Sequence, residues 1–209
     1  MKHFFQQLID AHKDFEKIVE LGIIEVKDGR LIVTDPCYEV GTWCQGEVSV
    51  KNGFYAAYAV ITNEGFWGKR VAELVIVKDG VDDFDLFSPL DLDFEVGVDS
   101  GQAGFFNTDY FAEHQPDDDW DNEKSWYRRV CDITCNTEYS CGTIDGEGVV
   151  SESGYGDGGY CCYPAYDKDE EIVGLRIVFI EDDSLLRTIM TRLTRMTTTR
   201  MSMARTSNP

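Results

Sequence analysis

Four times within the first eighty residues a β-prone run closes on a polar pair followed by glycine: Lys27-Asp28-Gly29, Lys51-Asn52-Gly53, Asn63-Glu64-Gly65 and Lys78-Asp79-Gly80. Glycine reaches the positive φ that a tight reversal demands, so this punctuation predicts short antiparallel strands. The runs between the turns agree, at 23–26, 30–34, 47–50, 54–62 and 70–77. The first two read as one hairpin through residues 27–29. Asn52-Gly53, a strong hairpin signal, marks another between 47–50 and 54–62. Later strands are expected at 94–98, 148–151, 159–166 and 172–180. The last, IVGLRIVFI, is nearly all apolar and belongs at a sheet centre.

Helical signals are fewer. Phe4, Leu8, Ala11, Phe15, Ile18 and Val19 recur at three- and four-residue steps, and Gly22 stands where a cap belongs, which predicts an amphipathic helix over 2–21. Residues 107–114 open a second helix with Asn107 or Thr108 as cap. Periodicity leaves 125–135 as helix or strand, while 81–93 and 115–122 read as polar loops. No repeat or linker divides the chain. The expectation is an α+β fold: β-rich, with meander or sandwich-like antiparallel sheets and an N-terminal amphipathic helix at 1–22. A single domain then fills 23–183.

Residues 184–209 break the pattern, with five Arg and no acidic side chain. Three readings stand: a disordered tail, a basic arm for nucleic acid or membrane, or an acidic run translated in the wrong frame. For the third, ACG, AGG and ATG encode Thr, Arg and Met. Shifted back one base after a G, they become GAC, GAG and GAT, which encode Asp and Glu.

The chain carries 39 acidic and 19 basic residues, for a formal charge of −20. Direct binding to nucleic acid is disfavoured, because it needs clustered Lys and Arg to displace counterions. A basic protein partner, bound cations or solubility alone are the readings that remain. With 12 Phe, 10 Tyr and 4 Trp, the chain has too much aromatic surface to stay unfolded in water. No apolar run is long enough to span a bilayer, so no membrane partner is expected. Charges interrupt MKHFFQQLIDAHKDFEK where a signal peptide needs an apolar stretch, so a cytoplasmic protein is expected. Its oligomeric state is left open.

The seven cysteines, at 37, 44, 131, 135, 141, 161 and 162, lack the close pairs of a zinc site, and His3, His12 and His114 lie far from them in sequence. Buried, reduced, inert thiols are expected. Arg70 and Glu73 read as a structural ion pair at a strand edge. Trp43, Trp67, Trp120 and Trp126 are either a recognition patch or core, with at least two expected in the core.

Two segments stand out chemically, FEVGVDSGQAGFF (94–106), running on into NTDY, and SESGYGDGGY (151–160). Each sets an Asp among glycines just beyond a strand. One chemical reading joins Asp99, Asp109 and Asp157 with Ser100, Gln102 and Ser153 in one acidic cleft, and Asp99, Gln102, Asp109, Tyr155, Asp157 and Tyr160 form the candidate ligand-binding set. Asp99, Asp157, Ser100 and Ser153 are the catalytic candidates. Such oxygen donors suit Ca²⁺ or Mg²⁺, although the twelve-residue calcium-loop spacing is missing, and no cofactor is the first expectation. Paired carboxylates also suit acid–base work, and the plainest alternative is that the Asp side chains hold tight turns.

LIVTDPCY, WGKRVAEL, GVDSGQAGFFNTDY and SESGYGDGGYCCYPAYD, in this order, resemble the uncharacterised family catalogued as domain of unknown function 4241, over about residues 29–179. The resemblance implies a bacterial or phage protein, with a phage–host or toxin–immunity role suggested by analogy. The first functional expectation is a non-enzymatic protein-interaction module with an acidic surface, a nucleic-acid mimic being one form of it. The alternative is a metal-dependent hydrolase-like enzyme working through Asp99 and Asp157.

Overall fold

A computed structural model describes Gln6, Leu8, Ile9 and residues 15–42, 45–81, 88, 92–114, 117 and 119–181. Among the described residues, eleven strands form two antiparallel sheets packed face to face. The six-stranded sheet runs β1 (Lys17–Val26), β4 (Gly53–Asn63), β5 (Lys69–Lys78), β11 (Ile172–Val178), β10 (Gly158–Tyr166), β6 (Glu95–Val98). The five-stranded sheet runs β3 (Gly46–Ser49), β2 (Arg30–Thr34), β7 (Gln102–Asn107), β9 (Gly148–Glu152), β8 (Cys141–Ile144). Two helices, α1 (Thr108–His114) and α2 (Trp126–Asn136), connect β7 to β8.

Alternation along β4 explains the layering. Tyr55, Ala57, Ala59 and Ile61 point between the sheets, where they meet Val33, Phe105, Val149 and Leu175. Ala56, Tyr58 and Val60 point the other way and are also buried, beneath Leu8, Phe15 and Ile18. A strand covered on both faces reads as continuous apolar sequence rather than as strict alternation. β7 behaves alike: Ala103 and Phe105 enter the central core, while Phe106 faces Phe111, Trp126 and Val130 of the two helices. Trp126 donates its indole N–H to the Pro36 carbonyl at 2.6 Å, tying α2 to the loop after β2. Ser125 caps α2, its side chain accepting from the Arg128 amide, and this settles the helix-or-strand ambiguity at 125–135.

The glycine turns do not all make hairpins. Residues 63–69 join β4 to β5 as expected, but β1 and β2 lie in different sheets, as do β3 and β4. Those turns are corners between sheets, and they pack on each other: the Val50 amide donates to the Gly29 carbonyl at 2.9 Å. Gly29 has φ +65°, and a Cβ there would lie 3.0 Å from the Val50 carbonyl oxygen. Turn chemistry specifies a reversal; burial of both faces decides which sheet the next strand joins.

The expected N-terminal helix is corrected over its second part. Lys17–Glu20 pair with Tyr58–Ile61 as β-strand, and Gly22, expected as a helix cap, follows a register shift within β1 at φ +128°. Gln6, Leu8 and Ile9 are helical, and most of the remaining N-terminal positions, like the tail from 182, lie outside the described residues. Neither β7 nor β8 was among the expected strands. β11 does occupy an interior position in its sheet, between β5 and β10. Among the described residues no helix is long and apolar enough to cross a membrane.

Gly104 shows how tightly β7 is held. A Cβ there would sit 2.3 Å from the Val149 carbonyl oxygen and 2.6 Å from the Phe106 ring, with the backbone fixed by β2 on one side and β9 on the other. Gly104→Ala is expected to cost about 1–3 kcal/mol, read as a lowered urea midpoint at unchanged m-value.

Candidate functional site

Strand direction gathers four loops at one end of the sandwich: 35–42 after β2, 64–68 between β4 and β5, 99–101 between β6 and β7, and 153–157 between β9 and β10. The two Gly/Asp segments meet there. The Ser153 amide donates to the Gly101 carbonyl at 3.0 Å, and β6 pairs with β10 so that Val98 lies opposite Gly158. The next residues outward on those strands are Asp99 and Asp157, both exposed.

Asp35 holds the rim. It is fully buried, and its carboxylate accepts from the amides of Cys37 (2.9 Å), Asp99 (3.0 Å) and Ser100 (2.8 Å) and from the Ser100 hydroxyl (2.7 Å). Four donors replace the water that a buried charge loses. The Asp99 carboxylate accepts the Tyr38 hydroxyl.

Beneath this rim lie two thiols. The Gln102 amide nitrogen stands 3.5 Å from both the Cys37 and the Cys131 sulfur, and Thr134 donates to its oxygen at 2.8 Å, which orients the amide. The neighbouring Cys37 thiol, with Gln102 and Tyr127, brings the Cys131 thiol down to about 6 against the opposing effects of burial and Asp132. The Cys37 thiol is pushed up, first by the neighbouring Cys131 and then by burial.

The 64–68 loop carries an aromatic tip. Phe66 is 99% exposed, Trp67 63% and Tyr155 58%. Trp67 meets Phe66 at 6.3 Å and Tyr155 at 6.4 Å between ring centroids, both edge-on. Glu64 fastens the tip: it accepts from the Thr62 hydroxyl at 2.8 Å and from the Tyr155 hydroxyl. The Tyr155 bond, then the Thr62 bond, hold its carboxyl below the usual carboxylate range. The Gly65 amide donates to the Asn63 side chain, and the Glu64 amide to the Gly68 carbonyl at 2.9 Å. Gly65 and Gly68 sit at φ +61° and +75°, which this short turn requires. Beside it, Glu152 accepts the Val71 amide and lies 3.6 Å from Arg70, while burial raises its carboxyl.

The residues singled out from sequence therefore divide. Asp99, Ser100, Ser153, Tyr155 and Asp157 share this end. Ser153 closes its own loop by donating to the Gly156 carbonyl, and Tyr160 donates to the carbonyls of Ser153 and Gly156. Gln102 is buried against the thiols rather than facing a cleft. Asp109 lies at the opposite end, separated by the length of β7, about 20 Å, and is ion-paired with Arg30 at 2.8 Å. Arg70 and Glu73 do not pair: Glu73 partners Arg176. Trp126 is core, Trp67 and Trp120 are exposed, and Trp43 lies outside the described residues. Among the described residues no group of three or more His, Cys, Asp or Glu is arranged to hold a metal ion. Sequence reasoning missed Asp35 as the clamp and Cys37–Cys131 as a pair; TDPCY stood out, but its partners are 64 to 94 positions away.

A family model for a protein of unknown function (DUF4241) matches residues 24–177. The chain belongs to this family. The matched span runs from β1 to β11, so the family unit is the two-sheet sandwich with its loop-bearing end. No curated protein matches the chain, and no solved structure does.

Proposed function

We propose that this DUF4241 protein is a non-enzymatic interaction module. Its contact surface is the Phe66–Trp67–Tyr155 tip, and its partner is a protein offering an apolar pocket rimmed by basic side chains. The observation that carries this reading is the exposure of three edge-packed aromatics on a loop already fixed by hydrogen bonds. Tyr and Trp dominate interface energetics when they bury on binding. A loop held by Glu64, Asn63 and two glycines loses little conformational freedom on docking. Exposed Asp157 stands two residues from Tyr155, and the net charge of −20 favours a basic partner through long-range attraction.

The experiment is retention of extract proteins on the immobilised chain, compared with Phe66→Ser/Trp67→Ser at low and high salt. A protein held by the wild type, released by salt and lost from the variant is the expected result. The same proteins on both columns, or none on either, would overturn the reading. The hydrolase alternative has the neighbouring positions of Asp99 and Asp157 in its favour. It ranks second because the Tyr38 hydroxyl already engages the Asp99 carboxylate.

A further inference from the structure

Cys37 and Cys131 come from distant elements, the β2–β3 loop and α2, yet both sulfurs lie against the same Gln102 amide at 3.5 Å. A core that needed only two small apolar side chains would have no use for an oriented amide at their junction. Here the amide is locked by Thr134. The charged groups facing the pair are Asp35, beside Cys37, and Asp132, on the same helix as Cys131. Cys131 is 6% exposed and Cys37 more so, which suits an oxidant little larger than water. Cys135, one helical turn beyond Cys131, is exposed and serves as an internal comparison.

We propose that Cys37 and Cys131 form a peroxide-reactive dithiol site that closes to a disulfide joining the β2–β3 loop to α2. In the first step the Cys131 thiolate attacks one oxygen of hydrogen peroxide. An S–O bond forms, the O–O bond breaks, and the departing hydroxide takes a proton from solvent to leave as water. Cys131 is then a sulfenic acid. In the second step the Cys37 sulfur attacks the Cys131 sulfur, forming S–S and breaking S–O. The hydroxide that leaves takes the Cys37 proton, so the two thiols are oxidised by two electrons and one peroxide yields two waters. The Gln102 amide at the Cys131 sulfur favours the first step by stabilising its thiolate. Proximity favours the second, because the resolving thiol lies against the same Gln102 amide.

The test uses the full chain, reduced and then treated with hydrogen peroxide. Free thiols are counted and peptides mapped without reduction. The expected result is the loss of two thiols, a peptide pair linked through Cys37 and Cys131, and full recovery with a dithiol reductant. Cys37→Ser should leave Cys131 as a sulfenic acid that dimedone traps, and Cys131→Ser should abolish the linked pair, each with a circular dichroism spectrum like the wild type. If Cys135 or another cysteine is oxidised while Cys37 and Cys131 stay reduced, the proposal fails. It also fails if Cys131 is oxidised in the wild type yet remains a sulfenic acid and never links to Cys37. Substitution of both residues by alanine provides the unreactive control.

Discussion

Replacing Arg176 by methionine is expected to lower the unfolding free energy by about 3–5 kcal/mol, the usual cost of stranding a buried charge. Arg176 and Glu73 face each other across β11 and β5 with almost no exposure, Nη1 to Oε1 at 3.5 Å. The guanidinium also lies 5.0 Å over the Tyr163 ring. Both project from the outer face of the six-stranded sheet, among Val75, Val77 and Tyr163, where water does not replace a lost partner. Glu73→Leu combined with Arg176→Met should recover most of the loss, since an apolar pair of similar size needs no desolvation. Urea denaturation of the two single variants and the double variant measures the coupling. Single variants within about 1 kcal/mol of wild type would mean that the pair contributes no more than a surface bridge.

Asp35→Asn should cost about 3–5 kcal/mol although it preserves shape. The carboxylate accepts four hydrogen bonds, two at each oxygen. An amide nitrogen in place of either oxygen would face two donors with a donor of its own. Oδ2 alone receives the amides of Asp99 and Ser100, so the substitution also frees the 99–101 turn, and with it the bond from Tyr38 to Asp99. Amide exchange at Asp99 and Ser100 should accelerate beyond what the change in global stability accounts for. A variant with wild-type stability and unchanged exchange at that turn would show that Asp35 is not the clamp.

The strands were largely legible because they carry alternating or continuous apolar runs ended by glycine turns, as at β4, β5, β10 and β11. What local pattern does not contain is the choice of sheet. Residues 27–29 and 51–53 have hairpin chemistry, yet both corners pass the chain from one sheet to the other, because β1 finds β4 and β2 finds β7. Ile18 and Val19 fit a helical repeat with Phe15, but pairing of Lys17–Glu20 with β4 overrides that local pattern. Whether the two Gly/Asp segments meet was open from sequence; the pairing of β6 with β10 and of β7 with β9 brings them together. The Asp35 clamp, the Cys37–Cys131 pair and the Glu73–Arg176 bridge join residues 64 to 103 positions apart, and nothing in their immediate neighbours encodes the partner. Tyr155 was selected for the glycines around it; its role beside Trp67 and Glu64 emerges only when the β4–β5 and β9–β10 loops come to the same end.

Hydrogen–deuterium exchange of the full chain, alone and with the protein it retains, tests most directly whether the aromatic tip is the contact surface. Protection at residues 62–70 and 153–157, weakening at high salt, is the predicted result. Protection centred on Arg30 and α1 at the opposite end, with the tip exchanging as in the free protein, would contradict it.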